Sequence, residues 1–272
     1  MRIIVDINGP YQDEYGNRII VSEKTLFEKV KVEFRGEANI LIISEENKIL
    51  KNINFEFSAH NGKAVIGNIE GPLQARGSIR VGYNSLIMLG DKITCTKPFF
   101  LCASEETKIL IGDDCMFATD NHIRTDDAHA VYDVKSGKRL NPSKDIILGA
   151  HVWAAYAAKI YGGANIGSGS IVGTNSIVKS KYPNNCTIVG APSKCVRRNI
   201  AGERPNVARH KPWIRENSEH IKKNPKYWML TDEYDKNPYL GDSFIKLVTL
   251  LNKFCLDEVY SNLENEYLNT RA

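Results

Sequence analysis

The sequence predicts an all-β protein centred on a parallel β-helix, a solenoid of short stacked strands. Between Leu148 and Lys179 an aliphatic or small residue recurs at every sixth position, and a small or branched residue stands four positions after each one. A helix needs a period near 3.6 and a simple strand a period of 2, so neither explains a period of six. Hexapeptide repeats are typical of β-helices, in which three flat sides make one coil. The alternative is a β-sandwich with evenly spaced strands.

Two columns of side chains should therefore point into the solenoid. The first column is Leu148, Ala154, Ile160, Ile166, Val172 and Val178. The second is Val152, Ala158, Ala164, Ser170 and Ser176. Because Ala154 replaces the expected aliphatic residue, that coil is predicted to be underfilled.

Domain boundaries follow from where this register is present. Units in the same register begin at Val81 and Ile111, which predicts a solenoid core over residues 72–199. Residues 1–71 alternate apolar and polar positions and predict a β-rich N-terminal cap that includes the first irregular coils. Residues 200–272 form a C-terminal extension, and the stretch from Asp242 to Leu268 predicts a helix with Asp242 as its N-cap, packed on the solenoid flank or on a neighbouring subunit.

The repeats stop over residues 124–145 and then resume in phase. Repeat proteins often place such insertions on a binding face, so this loop is the first place to look for chemistry. The alternative is a tolerated surface excursion.

Composition predicts a soluble cytoplasmic enzyme. The chain has 272 residues, 42% of them hydrophobic, which is enough for a substantial core. It contains no apolar run long enough for a membrane span, and Asp6 interrupts the N-terminus too early for a signal peptide. The six cysteines have no CxxC spacing and are interpreted as reduced thiols.

A basic segment between Lys194 and Lys226 has ten Lys or Arg residues against three Asp or Glu. This excess predicts an anionic ligand, and a phosphorylated cofactor explains it better than nucleic acid, because the sequence offers neither a recognition helix nor an aromatic platform. A solvated charged rim is the alternative.

The hexads, the segment VGAPSKCVRR and the segment TDDAHAVYD together resemble the hexapeptide-repeat acyltransferases, which have a left-handed β-helix and use acetyl-CoA. The resemblance covers residues 81–199. The sequence around His129 and the 24-residue step to Trp153 most resemble bacterial capsule and surface-polysaccharide O-acetyltransferases, including those that act on sialic acid polymers. This family resemblance implies a homotrimer. Its active sites would lie in the clefts between the triangular solenoids of neighbouring protomers, where a loop histidine lies beside the thioester of acetyl-CoA.

His129 is the predicted general base, because a neutral imidazole can accept the proton of a sugar hydroxyl while that hydroxyl attacks the thioester. No acyl-enzyme is then required. Asp127 is a candidate to orient the ring, with Asp126 or a backbone carbonyl as alternatives. The competing interpretation is that His129 is an ordinary hydrogen-bonded loop residue.

Trp153 is predicted to line the cleft and to donate its indole N–H to the oxyanion of the transition state. A role in the trimer interface alone is the alternative. Ala155, Gly162 and Gly163 are expected to leave one edge open for the pantetheine arm of CoA.

Further residues complete the predicted site. The cations expected to bind the CoA phosphates are Lys179, Lys181, Lys194, Arg197 and Arg198. Arg124 and Arg139 are the candidates for carboxylates of an acidic acceptor. No metal is expected, since the spacings of His122, His129 and His151 do not match stacked zinc ligands.

The predicted function is therefore acetyl-CoA-dependent O-acetylation of a capsule or surface polysaccharide, sialic acid polymers included. Two alternatives stay open at this point. One is an N-acetyltransferase for a nucleotide-linked amino sugar, and the other is a non-catalytic trimeric solenoid.

Overall fold

Three mainly parallel β-sheets form the sides of a triangular prism, and we call them sides A, B and C. The chain winds through them in the repeating order B, C, A. The computed structural model describes residues 3–69, 71, 73–209, 225–232, 238–255 and 263. This is the parallel β-helix that the six-residue period predicts.

The strands, numbered in chain order, are distributed over the sides as follows. Side A contains β1 (Ile3–Asp6), β5 (Lys31–Phe34), β8 (Ile53–Phe57), β10 (Gly77–Val81), β13 (Phe99–Ala103), β16 (His122–Arg124), β19 (Lys159–Tyr161) and β22 (Ile177–Val178). Side B contains β2 (Tyr11–Gln12), β3 (Arg18–Ile20), β6 (Ile40–Ile43), β9 (Lys63–Ile66), β11 (Leu86–Leu89), β14 (Lys108–Ile111), β17 (Ile146–Leu148), β20 (Asn165–Ile166) and β23 (Lys181–Tyr182). Side C contains β12 (Thr94–Cys95), β15 (Met116–Phe117), β18 (Trp153–Ala154), β21 (Ile171–Val172), β24 (Thr187–Gly190) and β25 (Ser193–Arg197). A separate two-stranded sheet pairs β4 (Leu26–Glu28) with β7 (Ile49–Lys51).

Both predicted inward columns are confirmed. Every residue of the first column is fully buried, and every residue of the second is at most 1% exposed. The coil that contains Ala154 keeps its register, with Phe117 paired above it and Val172 below it. The small side chain of Ala154 is therefore paired with a large one, the buried ring of Phe117 in the neighbouring coil.

The coils are wider in the N-terminal half of the prism. One turn advances 22 residues from Ile79 to Leu101 but 18 residues from Ile160 to Val178. The wider coils hold aromatic rings on their axis, including Phe34 and Phe57, whose ring centroids are 5.1 Å apart. Parallel pairing already begins with β3 and β6, and it continues across residue 71 through β8 and β10. Irregular coils therefore form part of the region predicted as a cap.

An α-helix, α1 (Asp242–Phe254), covers the outer face of side B. The buried helix residues Phe244, Leu247 and Leu251 join one apolar cluster with outward-facing residues of side B such as Ile42 and Met88. The predicted packing on the solenoid flank is confirmed. Residues 256–262 and 264–268 of the predicted helix lie outside the described residues. No helix in the described part of the chain is long and apolar enough to cross a bilayer.

The start of α1 differs from the prediction that Asp242 is the N-cap. The residue at the cap is Gly241, at φ 109°, and the carboxylate that accepts the N–H of Ser243, at 2.9 Å, belongs to Asp113 of the solenoid. A Cβ on Gly241 would lie 2.1 Å from that carboxylate, so the close approach requires glycine. Asp242 instead forms an ion pair with Lys226.

Three corners join the sides and locate the residues discussed below. The A–B corner contains residues 104–107, 125–145, 162–164 and 179–180; the B–C corner contains 112–115, 149–152, 167–170 and 183–186; the C–A corner contains 118–121, 155–158 and 173–176. In a triangular prism the A–B corner lies opposite side C.

Candidate active site

The inserted loop, residues 125–145, projects from the A–B corner as an irregular hairpin. The N–H of Leu140 donates to the carbonyl of Val131 at 2.7 Å, and Tyr132 bridges Arg139. His129 lies on the first leg of the hairpin and is exposed. The tip carries exposed apolar side chains: Val131, Tyr132, Val134 and Leu140. The predicted general base is therefore presented outside the prism, beside an apolar surface that a single protomer leaves uncovered.

The carboxylates next to His129 bind other groups. Asp127 accepts a hydrogen bond from the side-chain amide of Asn141 at 3.2 Å, and Asp126 accepts one from the N–H of Ala128 at 2.9 Å. In the described part of the chain no group hydrogen-bonds to the imidazole of His129. The predicted contact between Asp127 and the ring is thus not made within one protomer.

Both arginines predicted to bind the acceptor already have carboxylate partners. Arg124 Nη2 lies 3.1 Å from each carboxylate oxygen of Asp126, and Arg139 Nη2 donates to Glu105 Oε2 at 2.9 Å. Hydrogen bonds from Arg139 and Ser143 hold the pKa of Glu105 below its ordinary value. These charge-assisted bonds fix the base of the loop, which is the role that Arg124 and Arg139 have in the protomer.

Trp153 lies on the outer face of side C and is 40% exposed. In the stack it pairs with Met116 on one side and Ile171 on the other, so its indole rests in an apolar column. Since the loop is anchored at the A–B corner, His129 and Trp153 occupy opposite sides of one protomer. A single prism does not bring the two predicted catalytic side chains together.

Ala155, Gly162 and Gly163 do not form one edge. Ala155 is in the C–A corner beside Trp153, whereas both glycines are in the A–B corner. A Cβ on Gly162 would lie 2.5 Å from the carbonyl oxygen of Thr125, so this glycine admits the base of the inserted loop. Of the three residues, Ala155 is the one that lies on the same stretch of surface as Trp153.

The cations predicted to bind CoA lie near the C-terminal end of the prism but on different sides of it. Lys179 follows β22 and lies 5.5 Å from the ring centroid of Tyr161, while Lys194 and Arg197 are on the final strand β25. Among the described residues, these three cations form no ion pair with a carboxylate. Lys181 and Arg198 lie in the same end of the chain, on and just after the last strands. Lys194 and Arg197, which lie together on side C and form no carboxylate ion pair among the described residues, suit the phosphates of CoA.

The three histidines considered as zinc ligands lie far apart in the fold. His122 is on the outer face of side A against Phe100, with ring centroids 4.7 Å apart, and burial together with the charges of Arg124 and Lys159 lowers its pKa. His129 is on the loop, and His151 is buried in the B–C corner. The described residues contain no group of three side chains placed to bind a metal ion.

His151 belongs to a network that holds residues 199–204, the strap, along the B–C corner. Its Nδ1 lies 2.6 Å from Asp114, and its Nε2 lies 3.0 Å from the carbonyl oxygen of Gly202. Arg204 of the strap forms an ion pair with the same Asp114. Burial raises the pKa of Asp114, but the bond to His151 and the charge of Arg204 outweigh it and lower the pKa overall. The basic segment predicted to bind an anion thus contains two cations that pair internally, Arg204 with Asp114 and Lys226 with Asp242.

Comparison with solved structures identifies the family. The polySia specific acetyltransferase NeuO superposes with a TM-score of 0.64 and 30% identity over 72% of this chain and 82% of NeuO. The chain belongs to the NeuO family of hexapeptide-repeat acetyltransferases. Its fold is accordingly the left-handed parallel β-helix. The polysialic acid O-acetyltransferase OatWY has a TM-score of 0.55 at 24% identity, over 75% of this chain and 97% of OatWY, and supports the fold alone.

Curated relatives of the NeuO family match shorter stretches. The polysialic acid O-acetyltransferase of Escherichia coli O1:K1 / APEC is 32% identical over 133 residues, which is 49% of this chain and 43% of that protein. The polysialic acid O-acetyltransferase of Neisseria meningitidis is 48% identical over 50 residues, or 18% of this chain and 23% of that protein. The matched region spans less than half the length of these relatives. No family model matches the chain.

Two site residues escaped the sequence analysis, Asn141 and Glu105, which support the loop of this NeuO-family protein. Glu105 lies one coil before the loop, and Asn141 lies twelve residues after His129. The Asn141–Pro142 pair signals a turn, but the partners of the amide depend on how the hairpin folds back.

Proposed function

We propose that this protein transfers the acetyl group of acetyl-CoA to a hydroxyl of a carbohydrate in a bacterial capsule or other surface polysaccharide, with a sialic acid polymer as the first candidate. The observation that carries the proposal is the match to 82% of the NeuO chain at 30% identity. The exposed position of His129 on the long insertion between β16 and β17 supports it further.

The active site is proposed to lie between protomers of a homotrimer. His129 at the A–B corner and Trp153 on side C are on opposite sides of the prism, so both can serve one reaction only if two protomers supply them. A closed ring of three lets each protomer give its loop to one neighbour and its side C to the other. The exposed apolar tip of the loop suits contact with such a neighbour.

In the proposed reaction the imidazole of His129 accepts the proton of the acceptor hydroxyl as the hydroxyl oxygen bonds to the thioester carbon. The indole N–H of Trp153 from the neighbouring protomer donates to the carbonyl oxygen as it becomes negative. The carbon–sulfur bond then breaks, and the proton passes from the imidazolium to the leaving thiolate. The products are an O-acetyl ester and free CoA.

Three buried cysteines are poor candidates for an acyl-enzyme, which supports direct transfer. Burial raises the pKa of Cys102 to about 11 and that of Cys115 to about 12. Burial likewise raises the pKa of Cys186 to about 11. A nucleophilic thiol needs a lowered pKa, so these three are not suited to attack acetyl-CoA.

The C-terminal end of the prism is proposed to bind the nucleotide of CoA. Lys194 and Arg197 on side C would hold its phosphates, and Ala155 would leave room for the pantetheine arm beside Trp153. Acetyl-CoA suits a cytoplasmic enzyme, and so do the free thiols of Cys95, Cys102, Cys115 and Cys186.

A thiol-release assay tests the proposal. Purified protein is mixed with acetyl-CoA and either polysialic acid, another acidic capsule polysaccharide or a neutral glycan, and free CoA is measured with a thiol reagent. We expect CoA release with an acidic polysaccharide and a product whose acetyl group is removed by mild base. The absence of CoA release with every glycan, or a base-stable amide product, would refute the proposed function.

A further inference from the structure

The side chain of Asn141 ties together the chain on both sides of His129. Its Oδ1 accepts a hydrogen bond from the N–H of Val131 at 2.7 Å. Its Nδ2 donates to the carbonyl of His129 at 2.9 Å and to the carboxylate of Asp127 at 3.2 Å. One amide therefore holds the residue two before the histidine, the histidine itself and the residue two after it.

We propose that Asn141 is the positioning residue of the catalytic loop, an inference that rests on the proposed function. Since no described group bonds to the imidazole of His129, the ring takes its place from the backbone that carries it. Asn141 fixes that backbone at His129 and Val131, and the Asp126 carboxylate holds only the neighbouring N–H of Ala128, at 2.9 Å. A displacement of about 1 Å of a catalytic group costs on the order of 100-fold in rate.

The clamp works because the second leg of the hairpin is itself anchored to the prism. Arg139 donates to Glu105 at 2.9 Å and to the carbonyl of Asn141 at 3.2 Å. Ser143 donates to the same Glu105 oxygen at 2.6 Å. The N–H of Lys144 then bonds to the base of the loop. Asn141 thus connects the leg of the hairpin that carries His129 to the leg that is held by the preceding coil.

The clamp requires a carboxamide, which offers an acceptor and two donors on one short side chain. Alanine at this position removes all three bonds. Aspartate keeps the acceptor for Val131 but loses both donors, and it places a second carboxylate against Asp127. The charged groups around the new carboxylate are Asp127 and Arg139, and Arg139 is already neutralised by Glu105.

The first experiment compares Asn141→Ala with a matched control in the same loop. Asp133 closes the hairpin tip by accepting bonds from Ser136, and none of its described hydrogen bonds involves His129. For Asn141→Ala we expect kcat to fall roughly 10- to 100-fold with KM for acetyl-CoA within about two-fold. Asp133→Ala should keep wild-type kcat. Equal losses in both variants, or wild-type kcat in Asn141→Ala, would overturn the proposal.

The second experiment uses the charge of Asn141→Asp. Two carboxylates about 3 Å apart share a proton, so one of them has a raised pKa and is protonated as pH falls. The activity of Asn141→Asp relative to wild type should therefore rise from about pH 8 to about pH 6, whereas the ratio for Asn141→Ala should stay flat. Adding Asp127→Asn to Asn141→Asp restores a donor opposite the carboxylate and should recover part of kcat. A flat ratio together with no recovery would contradict the clamp.

A measurement without substrate separates this inference from the proposed function. Hydrogen exchange of the Val131 amide should be faster in Asn141→Ala than in wild type, because its acceptor is gone, and unchanged in Asp133→Ala. If exchange is faster in Asn141→Ala but the wild-type protein releases no CoA with any glycan, the proposed function is refuted, and with it the catalytic role of Asn141. If exchange is unchanged in Asn141→Ala and the wild-type enzyme is active, only the positioning role of Asn141 is refuted.

Discussion

The opposite placement of His129 and Trp153 predicts that two inactive variants restore each other in mixed trimers. His129→Ala protomers keep Trp153, and Trp153→Ala protomers keep His129. Removal of the general base should cost about 100- to 10,000-fold, and removal of the oxyanion donor about 100- to 1,000-fold. Each parent trimer is therefore nearly inactive, and recovered activity stands out clearly.

The fraction of activity that is recovered follows from the arrangement of the shared sites around the closed trimer. The two variants are co-expressed with different affinity tags and purified on both, which leaves trimers that contain two protomers of one kind and one of the other. Each site joins the loop of one protomer to side C of the next, so every mixed trimer has one intact site. We expect about one third of the wild-type rate of CoA release per trimer, with KM unchanged.

Parent trimers that are purified separately and then mixed give the control, since without subunit exchange they should stay inactive. A site contained in one protomer predicts no recovery in co-expressed trimers. A rate equal to the sum of the residual rates of the parents, or a protein that sediments as a single protomer, would refute the shared site.

Three further outcomes are expected. Leu251→Ala, in the buried face of α1, should lower the free energy of unfolding by about 2–5 kcal/mol in urea titration; a change under about 0.5 kcal/mol would contradict the described packing. Gly162→Ala should displace the loop at Thr125 and lower kcat while far-ultraviolet circular dichroism stays unchanged; wild-type kcat would show that the loop tolerates the added methyl group. Because the pKa of Asp114 is lowered, its stabilisation of the strap is complete above about pH 4 and is lost as pH falls through the lowered value. An acid transition in Trp228 fluorescence should follow, and Asp114→Asn should abolish it; a transition identical in the variant would exclude this carboxylate.

Much of the fold could be predicted because a β-helix of 18-residue coils repeats the same requirement at each side. The side chains of Val172 and Val178 point inward because the axis of the prism is narrow. The strict six-residue period identifies such positions. The wider coils upstream obey the same geometry, but with 22 to 24 residues per turn they have no period of six. Phe55 and Ile79 stack in one column although nothing in their spacing shows it.

The sequence could nominate residues for the candidate site, but it could not give their contacts. The interruption of the repeat pointed to His129, and an exposed tryptophan on a repeat pointed to Trp153. Partners that meet across the fold were missed: Asn141 donates to the carbonyl of His129, and Asp113 rather than Asp242 caps α1. Such pairs form because folding brings residues that are distant in sequence into contact, and local residue patterns do not encode these contacts.

The strap and α1 change how a solenoid of this kind should come apart. In a stack where each coil touches only the next, either end can melt alone. Here Arg204 reaches from the last coils to the carbonyl of Lys92 at 2.7 Å, and Arg18 of an early strand donates to the carbonyl of Phe254 at 2.9 Å. These tethers bind distant turns to one another, so fraying at the tail also loosens the opposite end. Denaturation should then follow a single cooperative transition, as in a globular domain.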